Sequence, residues 1–316
     1  MKAGDIMTNS MRTSMLAAGL AVVSAGAAQA EGRFELQSTN MIARSDPFSA
    51  DQELASAGPA VFDLETGFDS NTWLRRVQPL EGRQVLRFEG QLRVRGYADR
   101  DELNSVLVTP RVQYWNTTAD NRLQVRLAAS YSALSRDGNS HWTRPEAEAQ
   151  LRWRPQGDQR LETVFRVRAN AYDFERADLQ GLDSERVRVG LEQFFRPVDD
   201  NLVLRISAYF EQAEAEEDRF SFDETRLRGE VIWSLDDKSS AALVADYRDR
   251  DYDGAFSALQ PVARSDQRFE IEARFERQIA ERVSAFVAAG YLDNESNIQT
   301  RDYGGATFRA GFSFRI

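Results

Sequence analysis

The sequence predicts an all-β chain: a transmembrane antiparallel up-and-down β-barrel of about 14 strands, with 12 as the fallback, after a cleaved signal peptide. Three observations carry this expectation. Segments of about ten residues recur with apolar and charged side chains at alternating positions, as a strand with one face on lipid and one on water requires. The connections between them alternate short and long. Beyond the leader no stretch holds the ~20 apolar residues of a spanning helix, so a membrane protein made from this chain must cross with strands.

Residues 1–30 read as a secretory signal: Lys2 and Arg12 precede the apolar run Met15 to Ala27, and Ala28-Gln29-Ala30 offers a small-x-small cleavage site. A single barrel domain is then expected over residues 31–316. The 316-residue chain has no cysteine, which excludes disulfides, a lipidated N-terminal Cys and thiolate metal sites. Its net charge is −10, so nucleic-acid binding through phosphate neutralisation is not expected. Of the 40 basic residues only Lys2 and Lys238 are lysine. That arginine bias favours bidentate pairing with carboxylates and phosphates, although biased genome composition would produce the same count.

In chain order, Phe34, Leu36 and Ile42 suggest a faint first strand, and Ser45 to Pro59 reads as a loop. Alternation then persists: Phe62, Leu64, Thr66 and Phe68; Leu86, Phe88, Leu92 and Val94; Val106, Val108, Val112 and Tyr114; Leu123 to Tyr131; Pro145 to Trp153; Leu161 to Ala169; Val187 to Phe195; Leu202 to Phe210; Leu227, Val231 and Trp233; Ala241 to Tyr247; Phe269 to Phe275; Val283 to Tyr291. The last strand, Gly305–Ile316, places Ala306, Phe308, Ala310, Phe312, Phe314 and Ile316 on one face and Thr307, Arg309, Gly311, Ser313 and Arg315 on the other. A soluble sandwich or lipocalin-like barrel would show the same period with its apolar face inward. Thirteen clear apolar faces would then need a very large interior.

Short connections are expected near 116–121, 154–160, 196–201, 235–240 and 277–281, and long ones near 98–104, 134–143, 172–185, 212–224, 248–267 and 292–304. Strands entering the short turns end in Tyr114, Trp153, Phe195, Trp233, Phe275 and Phe314, spaced by 39, 42, 38, 42 and 39 residues. Stepping back by a similar interval reaches Trp73. With Tyr131, Phe210, Tyr247 and Tyr291 at the far ends, and Phe312 in the closing strand, these side chains form two expected interfacial belts.

The ending Phe-Arg-Ile resembles the terminal signal of bacterial outer-membrane barrels, with Ile316 where that signal has an aromatic. The resemblance implies outer-membrane lipid as surroundings and the barrel-assembly machinery as a partner of Gly305–Ile316. Tyr247-Arg248-Asp249-Arg250-Asp251-Tyr252-Asp253-Gly254, Arg264-Ser265-Asp266, Gly290-Tyr291, Asn294, Ser296, Asn297, Ile298 and Tyr303 resemble the C-terminal barrel of surface lipoprotein assembly modifiers. A similar arrangement occurs in the β-barrel porin 2 group linked to exopolysaccharide loci. These resemblances imply transport or export, with an exported surface protein or polysaccharide as a partner. The helical-repeat domain that the assembly modifiers carry ahead of the barrel is not legible here.

On the inward parity stand Arg87, Arg93, Arg95, Arg126, Arg152, Arg166, Arg168, Arg186, Arg188, Arg205, Arg226, Arg228 and Arg274 as candidate solute contacts, joined by Arg111, Arg268 and Arg309. The acids of that parity are Glu89, Glu146, Glu148, Glu162, Glu192, Glu211, Glu230, Asp246, Glu270 and Glu272, so arginines exceed acids sixteen to ten. Such a wall could pass anionic solutes along guanidinium groups, or it could be a cross-strand ladder that fills a non-conducting barrel. The run Glu211 to Glu224 could offer hard oxygen ligands but reads as a solvated loop, and no metal or cofactor is expected. His141, the sole histidine, is placed in a loop beside Ser140 with no orienting group, so a hydrolase is not expected.

Overall fold

One closed sheet satisfies the alternation. The structure is a computed structural model that describes residues 33–45, 64–197 and 201–316; the leader and Phe62 lie outside them. Its strands are β1 (Arg33–Ser45), β2 (Glu65–Pro79), β3 (Gln84–Tyr97), β4 (Ser105–Thr117), β5 (Leu123–Arg136), β6 (Asn139–Trp153), β7 (Leu161–Phe174), β8 (Ser184–Phe195), β9 (Leu202–Ala215), β10 (Phe222–Ser234), β11 (Ser239–Ser257), β12 (Gln260–Ala280), β13 (Val283–Ser296) and β14 (Tyr303–Arg315). Each pairs antiparallel with its chain neighbours, and β1 closes on β14, so no edge remains. The count is the expected 14. At the seam Leu36 and Ile316 exchange backbone hydrogen bonds, both of 2.9 Å, which ties the chain end into the sheet. No helix among the described residues is long and apolar enough to cross a membrane.

The apolar parity faces outward. Phe165, Val167, Leu127, Val287 and Ile206 are exposed, while their polar neighbours point into the barrel. Tyr114, Trp153, Phe195, Trp233, Phe275 and Phe314 lie outward toward the short-turn end; Tyr131, Phe210, Tyr247 and Tyr291 lie outward toward the other end, and Phe312 is one pleat from Phe314. On β6 the band from Pro145 to Trp153 matches the 9–11 residues of a tilted spanning strand.

Trp73 is a correction. In β2 Phe68 is 46% exposed and Asp69 8%, so odd positions point inward, and Trp73 stands between Gln37 and Gln91 on the inner wall. An interval borrowed from other hairpins carries no parity, and one residue of offset reverses the face. The outward positions here are polar instead. Asn40 donates to Ser38 Oγ (3.1 Å) and accepts from Ser70 Oγ (2.7 Å), and Ser38 and Thr72 hydroxyls lie 2.9 Å apart. Mutual hydrogen bonding reduces the cost of polar groups on an outward face.

Several expected loops are strand. Positions 134–143 form a tight hairpin turning at Asp137 (φ 48°) and Gly138 (φ 76°), a pair of left-handed residues that suits the sheet's twist. Positions 248–267 continue β11 and β12 as a projecting hairpin, with register shifts beyond Asp251. Glu211 and Glu224 sit on strands and are buried inside, so Glu214, Glu216, Glu217, Asp218 and Asp223 remain as the exposed acids of that run. His141 lies in β6, not in a loop, and is buried with its ring edge-on to Phe174 at 5.9 Å.

Candidate functional site in the barrel lumen

The short inward acids are fixed at the wall by the long arginines of neighbouring strands. Asp69 accepts from Arg93 and Arg95 at 3.1 Å. Glu192 accepts from Arg166 (2.8 Å), Arg205 (2.9 Å) and the Tyr209 hydroxyl (2.6 Å). A Cβ at position 190 would collide with the Tyr209 ring, so Gly190 makes the room that lets Tyr209 reach Glu192. Glu146 takes Arg111 at 3.0 Å and Arg168 at 3.7 Å; Glu211 takes Arg188, with Arg168 and Arg186 at 3.7 Å. Asp246 holds Arg226 at 2.7 Å and Arg228 at 3.3 Å. Glu148 bonds Arg126, and Glu162 lies 3.5 Å from Arg152 and 2.8 Å from Arg154.

Aromatic side chains carry other guanidinium groups. Arg87 and Arg126 lie 5.2 and 5.3 Å from the Trp115 ring centroid, and Arg274 lies 4.1 Å from that of Phe286 while bonding Glu276 at 2.7 Å. Toward the long-loop end an arginine and aromatic stack climbs the wall: Arg186 over Tyr172 (4.1 Å), Arg250 over Phe222 (4.2 Å) and Arg264 over Tyr252 (4.8 Å). Those rings pack with Trp142, Phe174 and with Leu179 and Leu182 of the short 177–182 turn, which narrows that side of the mouth. On the other side Leu64, Leu103, Leu292 and Tyr303 form a second apolar cluster.

The thirteen arginines read from the sequence therefore all stand on the inner wall. Arg75, which bridges Glu35 (3.2 Å) and Glu89 (2.6 Å), and Arg248 and Arg250, which approach Glu224, join them from outside that reading. The two signs differ in reach. The Glu192 side chain is 1% exposed while Arg166 and Arg205 keep 27% and 28%; Glu146 is 3% exposed while Arg111 and Arg168 keep 22%. Arg95, Arg186, Arg248, Arg250 and Arg268 are exceptions, each at 11% or below, and Glu270 at 24% reaches further than its partner Arg268. Solvent in the lumen meets mainly guanidinium groups with carboxylates behind them. In the half toward the long loops they surround a cavity of about 340 Å³, lined by Arg93, Arg95, Arg168, Arg188, Arg226, Arg248, Arg268 and Arg309 but by only two acids, Asp69 and Glu270. No group of acids or histidine that could hold a metal ion occurs among the described residues.

No family model matches the chain, and no curated protein matches it. Solved structures do. The chain is similar to an anion-selective porin from Comamonas acidovorans (TM-score 0.52, 9% identity, 91% of this chain and 100% of that one). It is also similar to the outer membrane channel DcaP of Acinetobacter baumannii (TM-score 0.52, 12% identity, 92% and 99%). A third is a loop-deleted OmpT, an outer membrane protein of Vibrio cholerae (TM-score 0.50, 9% identity, 90% and 99%). By fold the chain is a bacterial outer-membrane β-barrel. In such a barrel the short turns face the periplasm and the long connections face outside, so the arginine-lined cavity lies in the outer half of the lumen. His141 lies beyond the outer aromatic row, where burial, then the charges of Arg136 and Arg176, push its imidazole down to about 4 and keep it neutral.

Proposed function

We propose that the chain is an outer-membrane channel whose lumen favours anionic solutes. The observation that carries this is the difference in reach just described: Glu146, Glu192 and Glu211 are each covered by two or three arginines, most of which keep part of their own surface toward the lumen. A permeating anion then exchanges hydration for a succession of guanidinium contacts, while the carboxylates behind hold those groups in place. The anion selectivity of the Comamonas porin, a protein of similar fold, agrees with this reading. The chain acts without a cofactor and without a catalytic step, and its closing strand Gly305–Ile316 is the segment offered to the barrel-assembly machinery.

A second reading is export or assembly of a surface protein or polysaccharide. The likeness of the 247–303 motifs to surface lipoprotein assembly modifiers supports it, as does the hairpin of β11 and β12, strands of 19 and 21 residues whose joined outer ends project beyond the mouth. Planar-bilayer recording in opposing salt gradients separates the two. A channel gives discrete steps with a reversal potential of anion preference, reduced by Arg93→Glu, Arg168→Glu, Arg188→Glu or Arg228→Glu. A folded, heat-modifiable barrel that never conducts overturns the channel and leaves the second reading.

A further inference from the structure

A ladder that only braces a barrel would place opposite charges face to face, because like charges directly opposite on adjacent strands destabilise a sheet. Much of the inner wall obeys: Glu89 faces Arg111, Glu148 faces Arg168, Arg188 faces Glu211 and Arg205 faces Glu230. Three pairs do not. Arg168 faces Arg188, Arg226 faces Arg248, and Arg248 faces Arg268. These are the only directly opposed arginine pairs among the described residues, and all five side chains line the one cavity. Acids diagonal to the row offset part of the repulsion, since Arg226 is held by Asp246, and Arg248 and Arg268 lie 3.7 Å from Glu224 and Glu270.

Arg168 is the least satisfied of the five. Its two ion contacts, to Glu146 and Glu211, are both at 3.7 Å, beyond hydrogen-bond length, and its Nε is buried with no partner. A planar donor fork with unspent N–H groups, set opposite the like charge of Arg188 on β8, matches a carboxylate, which can accept two parallel hydrogen bonds where a spherical halide cannot. The cavity's ~340 Å³ lies at the small end of ligand pockets, which sets the size of the occupant.

We propose that this cavity is a saturable binding site for the carboxylate of a small organic acid, with Arg168 as its principal contact and the rows Arg168–Arg188 and Arg226–Arg248–Arg268 as its positive wall. It builds on the reading of the lumen as an anion passage, and makes that passage selective. Galacturonate and galactose differ at the carboxylate and are the probes. With the barrel in a planar bilayer, galacturonate interrupts the current with a saturating concentration dependence, and galactose at equal concentration does not. Arg168→Gln raises the half-blocking concentration at least tenfold; Arg268→Gln raises it less; Arg160→Gln, in an exposed periplasmic turn, leaves it within twofold. Heat-modifiable migration confirms that each variant is folded. Equal interruption by both sugars, or no change in Arg168→Gln, overturns the site. If the wild type never conducts, titration calorimetry on the refolded barrel decides. Galacturonate heat that is lost in Arg168→Gln keeps the site while the passage falls, and absence of that heat removes the site.

Discussion

Glu192→Gln is the sharpest test of the wall. The substitution keeps the side-chain volume and removes one negative charge that accepts from Arg166, Arg205 and Tyr209 while only 1% exposed. Breaking a buried pair by removing one partner costs about 3–5 kcal/mol. Two features put the expected loss at the lower end, about 3 kcal/mol. Arg166 and Arg205 keep 27% and 28% exposure to the lumen, and each has a second acid within reach, Glu148 at 3.8 Å and Glu230 at 3.4 Å. The comparison is Glu217→Gln, whose pair with Arg219 at 2.6 Å is exposed on both sides and is worth below about 1 kcal/mol. Urea unfolding of the barrel in lipid vesicles, followed by tryptophan fluorescence and heat-modifiable migration, gives both values. At a slope of about 3 kcal/mol/M the Glu192→Gln midpoint falls by about 1 M. A Glu192→Gln loss no larger than that of Glu217→Gln would refute the claim that covered acids hold the arginines.

Three further outcomes are expected. In single-tryptophan variants, lipids brominated along their acyl chains quench Trp153 and Trp233 strongly and Trp73 weakly; strong quenching of Trp73 would return it to the outer belt. His141 titrates with an imidazole NMR midpoint near 4. Because that value lies below the ordinary 6.5, the unfolded hairpin takes up the proton first, so stability present above pH 6.5 is lost as pH falls toward 4. His141→Gln abolishes that acid dependence of hydrogen exchange in the 136–142 hairpin, and a midpoint near 6.5 in the wild type would show that the ring is not buried. Gly190→Ala overpacks against Tyr209 and costs about 1–3 kcal/mol, whereas Gly229→Ala, with nothing near its added methyl, is nearly neutral; equal effects in urea unfolding would remove the packing role of Gly190.

The strand number, the inward face of the thirteen candidate arginines and most of the belts were legible because lipid outside and water inside impose opposite demands on adjacent residues. Legibility failed where that contrast weakens. The outward face of β1 and β2 carries Ser38, Asn40, Ser70 and Thr72, which satisfy one another, so the first strand is faint and the parity of Trp73 is hidden. It failed again outside the bilayer, where β5–β6 and β11–β12 run on as hairpins with no lipid to enforce alternation. The inward rings were missed for a third reason. Trp115 follows Tyr114 and Phe194 precedes Phe195, so two aromatics share adjacent positions and only one can face lipid; the other stacks on Arg87, Arg126 or Arg205. Adjacent aromatic pairs are thus the signal that would have found them.

Ladder and passage were opposed readings of one set of residues, and the geometry makes them parts of one device. A carboxylate on a short stem, placed at the wall, can be covered by guanidinium groups that arrive on longer stems from either side, as at Glu192 and Glu211. The acid then supplies stability and the arginine supplies the surface that a solute meets. The two roles are separable by experiment because they sit on different side chains. Neutralising a covered acid lowers stability while leaving the lumen more positive, and neutralising Arg168, which makes no hydrogen bond to either acid, changes what the lumen binds at small cost to the fold. A wall that served only as a brace would show no such split, with loss of any arginine as damaging as loss of the acid it covers.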